Sequence, residues 1–164
     1  MIQRIQSLYL LCAIIFMAIF AFTPFINLIT PTGTYQMNCM GTTLATPAEV
    51  MTETAIVAAS QNYILAIISA LIAVMSILAI LLFKNRMKQI LICRINFLFY
   101  ITLYAVMGML IYSNYNSLGA TTFKTTTYII FPICALITNY LAMSAINKDE
   151  QLVRDSERMW TRSR

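Results

Sequence analysis

Residues 60–83 read SQNYILAIISALIAVMSILAILLF, an apolar run with no Asp, Glu, Lys or Arg anywhere between Glu53 and Lys84. A hydrocarbon core of roughly 30 Å is crossed by about 20 mostly apolar helical residues, so this run has the length and character of a membrane span. The same pattern recurs on both sides: charges are absent between Arg4 and Glu49, between Arg94 and Lys124, and between Lys124 and Lys148. Four charge-free gaps predict four transmembrane helices, over about residues 7–25, 60–83, 95–112 and 126–146. The expected fold class is an all-α membrane protein, a single-domain four-helix bundle of 164 residues. With 60% hydrophobic and 10% charged residues and a mean hydropathy of +0.75, the chain has too little polar surface for a soluble globule.

The net charge of +5 is distributed as a membrane protein distributes it. Positive residues gather at Arg4, at Lys84, Arg86, Lys88 and Arg94, and from Lys148 to Arg164; four spans put all three clusters on one side, where the positive-inside rule places the cytoplasm. Both termini are expected to be cytoplasmic, with the segment at about 30–58 and the turn at 114–125 outside. A basic face toward anionic lipid accounts for the charge without nucleic acid. The run after Arg4 is long for a signal peptide, and no small-x-small site follows it, so it is expected to remain as an uncleaved anchor.

Pro24 marks the exit of the first span. The loop beyond it is rich in threonine, and alternation over Thr34–Asn38 with a turn at Gly41 permits a short β-hairpin returning through Thr42–Leu44. Pro47 reads as a helix start, and Glu49 and Glu53 as solvated surface on that helix. In the second span Ala66, Ser69 or Ala70, Ala73 and Ser76 recur at helical spacing, a stripe that lets backbones approach closely in lipid. Tyr112, Tyr115 and Tyr128 fit an outer aromatic belt, while Tyr100 and Tyr104 lie deep. Of the four cysteines only Cys39 falls outside the spans and the cytoplasmic edge; it is either a free thiol or a link between two chains.

Chemistry is scarce. The chain has no histidine and no charge inside a span, which argues against proton relays, ion-coupled transport and zinc hydrolysis. No phosphate loop or nucleophile elbow is present, so no catalytic residue, cofactor or metal is expected. Three features carry the functional expectation. Asn96 and Asn139 are amides in hydrocarbon, expected to meet as an interhelical polar pair or to hold a ligand. The segment Lys84–Arg94, expected to be a loop between the second and third spans, with Lys84, Arg86, Lys88 and Arg94 interleaved with apolar residues, suits a topology determinant or a contact with lipid headgroups or a partner. In the cytoplasmic tail, residues 147–164, Leu152, Val153, Met159 and Trp160 form one stripe of an amphipathic helix, suited to docking.

The opening Met1-Ile2-Gln3-Arg4-Ile5-Gln6 with Leu8-Tyr9-Leu10-Leu11, the closing Ala145-Ile146-Asn147-Lys148-Asp149-Glu150 with Leu152-Val153-Arg154, and Cys93-Arg94-Ile95-Asn96 between them resemble one family. It is the small four-helix inner-membrane proteins of Bacteroidota known as domain of unknown function 4293. The resemblance implies location and topology over essentially the whole chain, and no activity. The expected role is a non-enzymatic scaffold or accessory subunit of a membrane complex, with membrane lipids and a second membrane protein or another copy of the chain as partners. The alternative is a binder or carrier of lipid or another apolar small molecule.

Overall fold

The computed structural model describes residues 3–31, 33–47, 63–83 and 85–162. It is mostly helical, with α1 (Gln3–Phe22), α2 (Ile64–Leu81), α3 (Arg86–Ser117) and α4 (Phe131–Arg162), all long and apolar enough to cross a membrane. Four strands, β1 (Ile26–Thr30), β2 (Gly33–Asn38), β3 (Gly41–Pro47) and β4 (Thr122–Thr125), form one antiparallel sheet in the order β3-β2-β1-β4. The expected helix start at Pro47–Val50, Glu49 and Glu53, and Lys84 lie outside the described residues or at their edge.

The helices pack as a ring in which α1 and α3 each touch both α2 and α4, every helix running opposite to its neighbours. Large apolar side chains such as Leu8, Ile67, Val74, Leu98, Ile101 and Met109 point outward along the shaft. A soluble protein rarely exposes so much contiguous apolar surface, whereas in lipid that surface is already in its preferred solvent. The inner face of α2 is Leu65, Ser69, Ile72, Ser76 and Ala79. Ser69 and Ser76 of the expected small-residue stripe therefore face inward, Ala66 and Ala73 flank that face, and Ala70 is exposed.

Two apolar clusters fill the interior. One joins Met17 and Phe20 of α1, Leu65 of α2, and Leu103 and Met107 of α3 to Ile26, Leu28, Tyr35 and Met37 on one face of the sheet. The sheet thus closes that end of the bundle, here called the sheet end. The other cluster, Leu10, Ala79, Ile90, Cys93, Ala142 and Ile146, lies toward the opposite, basic end.

The hairpin expected at 34–38 and 42–44 is present as β2 and β3, with Asn38 opposite Gly41. It does not stand alone: β1 and β4 pair with each other in the register Ile26 to Thr125 through Ile29 to Thr122, which makes a stable four-stranded unit of what would be a marginal hairpin. The turn expected at 114–125 therefore contains a strand. Pro24 follows the end of α1, as an exit signal should, and Pro132 sits in the first turn of α4, where its missing N–H costs nothing. Gly119 terminates α3 at φ +59, with Ala120 N–H bonded back to the Tyr115 carbonyl, a left-handed cap that glycine adopts without strain.

Two expected boundaries move. Arg86–Arg94 is not a loop but the first turns of α3, because Met, Lys, Gln, Leu and Arg are good helix formers and no Gly or Pro interrupts them. The tail is not a separate helix either: α4 continues from Phe131 to Arg162 without a break.

Candidate functional site

Asn96 and Asn139 are both buried, at 1% exposure, and both bond across helices, but not to each other. Asn96 Nδ2 donates to Ser76 Oγ of α2 at 2.9 Å, and the serine hydroxyl donates in turn to the Ile72 carbonyl at 2.9 Å. Asn139 Nδ2 donates to the Cys93 carbonyl of α3 at 3.1 Å. The expected pairing is replaced by two separate fastenings, because the Ser76 hydroxyl and the Cys93 carbonyl stand within bonding distance of the two amides. Asn96 Oδ1, Asn139 Oδ1 and the Tyr100 hydroxyl are buried without a hydrogen-bond partner. The layer is neutral, with no base beside a nucleophile.

More converges at the basic end. Gln6 of α1 donates from Nε2 to Asp149 Oδ2 of α4 at 2.7 Å, with both residues buried. Arg86, at the start of α3, donates from Nη1 to the Asp149 backbone carbonyl at 3.2 Å. Asp149 thus draws the first turn of α1 and the first turn of α3 onto α4. Gln6 and Asp149 belong to the two terminal stretches that carry the family resemblance, and the fold brings those stretches into contact.

Beside this knot lies a groove of about 340 Å³ between α3 and α4, lined by Met87, Ile90, Leu91 and Arg94 from one helix and Asn147, Glu150, Gln151 and Arg154 from the other. Each set has spacing i, i+3, i+4, i+7, so each is one face of its helix. Arg154 Nη2 is bonded to Glu150 Oε1 at 2.7 Å and also lies 3.6 Å from Met87 Sδ across the groove. Of the basic set, then, Arg94 lines the groove, Arg86 is tied to α4, and Lys88 is exposed outside the groove lining. From Gln151 to Ser156, and again at Arg158 and Met159, the side chains of α4 are exposed. Leu152, Val153 and Met159 are 55%, 42% and 68% exposed, whereas the Trp160 side chain lies outside the described residues.

At the sheet end Cys39 occupies the β2–β3 turn with no exposed surface, its thiol donating to the Phe20 carbonyl at 3.7 Å. Burial pushes its pKa up to about 12, so it is a protonated core residue here rather than an exposed linker. All four cysteines are free. Among the described residues no three His, Cys, Asp or Glu side chains are placed to hold a metal ion.

Nothing local in the sequence pairs Gln6 with Asp149, which lie 143 residues apart. The signal that points to the groove is the i, i+3, i+4, i+7 spacing shared by 87–94 and 147–154, which becomes a seam once both helices extend past their apolar spans.

Four long apolar helices in a ring, fastened by buried amides and closed at one end by a small sheet, have the build of a multi-pass membrane protein. The particular family is also defined. The chain belongs to the one described as "Domain of unknown function (DUF4293)", which matches residues 2–159. No curated protein matches it.

Proposed function

We propose that the four helices are inserted in the bacterial cytoplasmic (inner) membrane with both termini in the cytoplasm and the sheet outside, and that the protein is a non-enzymatic scaffold or accessory subunit of a membrane complex. The bundle holds the last turns of α4 out from the basic end, and a second protein packs against them. Orientation is supported by charge: Arg86, Lys88, Lys148, Arg154 and Arg158 belong to the basic end, while only Lys124 belongs to the sheet.

The observation that carries the docking role is the exposed stripe Leu152, Val153 and Met159 on a helix that is rigidly rooted through Asp149. Such a stripe is costly in water and gains by burial against a partner, about 25 cal/mol per Å² of apolar surface covered. Five positive and four negative side chains between Lys148 and Arg164 nearly cancel, so attraction to anionic lipid alone gives it little hold. The test is gentle extraction followed by native mass spectrometry of the wild type and of the L152S/V153S/M159S variant. A stoichiometric second protein retained by the first and lost from the second supports the reading; retention by both would sink the stripe as the docking element.

The lipid-binding alternative has an observation of its own, the groove beside Arg94, rather than the buried amides, whose donors are already engaged.

A further inference from the structure

The α3–α4 groove has two features that a structural seam does not require. Arg94 has no ionic partner among the described residues, and it stands about 12 Å along α3 from Arg86, at the inner margin of the basic end where the apolar span begins. A guanidinium at that depth is tolerated when it reaches an anion at the interface. Second, the apolar side of the groove at Leu91 continues along the outer face of α3 through Ile95 and Leu98, which are 57%, 36% and 62% exposed. The groove therefore carries one guanidinium near each end, Arg154 beside Met87 at the outer end and Arg94 two turns further in along α3, and from Leu91 an apolar track runs toward the middle of the bundle.

We propose that this groove binds the headgroup of an anionic phospholipid, with Arg94 and Arg154 on either side of the phosphate and one acyl chain along Leu91, Ile95 and Leu98. The inference rests on the membrane reading above. The volume of about 340 Å³ lies at the lower end of the range of small-molecule sites, which suits a glycerophosphate headgroup rather than a folded partner. Basic pockets between membrane helices on the cytoplasmic side are sites for anionic lipids, and guanidinium takes phosphate in paired, charge-assisted bonds. Glu150 sets the strength: bonded to Arg154 at 2.7 Å, it holds that guanidinium over the groove and opposes the arriving anion. The apolar track separates a lipid from inorganic phosphate, which would gain nothing from it.

The experiment is native mass spectrometry of the full chain in detergent, titrated with dioleoylphosphatidylglycerol or dioleoylphosphatidylcholine. The wild type should retain the anionic lipid preferentially; Arg94→Gln and Arg154→Gln should each weaken that retention about tenfold. Glu150→Gln should strengthen it several-fold, and Lys124→Gln, at the sheet end, should leave it unchanged. Arg154→Gln and Glu150→Gln break the same ion pair, so a merely structural seam would make them behave alike. Equal effects, or no preference for phosphatidylglycerol, would overturn the proposal, as would displacement of the lipid by millimolar inorganic phosphate. Carbonate extraction of the same variants from bacterial membranes tests the underlying reading separately. A soluble protein overturns both, and a membrane-resident protein without lipid preference overturns the headgroup site alone.

Discussion

Polar side chains in this bundle differ in how much they hold, and their bonding explains the order. Asp149 accepts the short Gln6 bond at the basic end, and without it the Gln6 amide keeps only a 3.4 Å contact with the Ala145 carbonyl. Asp149→Ala should cost about 1–3 kcal/mol, read as a lowered melting temperature in detergent. Asn96→Leu should cost less, within about 1 kcal/mol, because it loses one interhelical bond but also removes an acceptor that has no partner. If Asn96→Leu proved the more damaging of the two, this ordering would be wrong. Cys39 gives a pH prediction. Its pKa rises from 9.0 to about 12 on folding, so the thiol's contribution to stability is complete below pH 9 and is lost as pH climbs from there through 12. At neutral pH the folded thiol is protonated and has no exposed surface, so maleimide should modify Cys39 only after unfolding. Rapid labelling in the native state would contradict the buried turn.

Among the elements, α4 joins the two ends of the molecule, being a wall of the bundle as far as Asp149 and an extension beyond the apolar span after it. A chain ending at Gln151 should melt like the full protein, whereas one ending at Lys148 should melt lower, since it lacks Asp149 and its tie to α1. Equal melting temperatures would show that Asp149 does not root the helix. Gly119→Ala should cost about 1 kcal/mol by forcing a side chain into the left-handed cap of α3, measurable in the same assay. The helices were legible in the sequence because each contains a long charge-free run, and β2–β3 because threonine alternation and Gly41 encode a local hairpin. Strands β1 and β4 were not: Ile26–Thr30 continues the apolar character of α1, and Thr122–Thr125 is exposed at every residue. Their identity as strands comes from pairing with each other across more than ninety residues, as Ile29 opposite Thr122 shows. The groove was hidden for the same kind of reason. Its two faces lie where the sequence predicts a loop and a separate tail, and they form a seam only because Met87–Arg94 and Asn147–Arg154 remain helical beyond the apolar spans.

At the scale of the whole molecule, the two ends of the bundle are chemically unlike. Among the described residues the sheet end carries only Lys124 and is sealed by strands; the basic end holds the Asp149 knot, the arginine groove and the exposed last turns of α4. Everything proposed here about docking and lipid depends on that second end facing the cytoplasm. The most direct test is impermeant maleimide labelling of single introduced cysteines in spheroplasts: Thr122→Cys on the exposed edge of the sheet and Ser156→Cys on the arm of α4. Cys39 is silent in this assay by virtue of its burial. The account predicts that the Thr122→Cys protein is labelled from outside and that the Ser156→Cys protein is labelled only after the membrane is permeabilised. Labelling of the Ser156→Cys protein in sealed spheroplasts would contradict it.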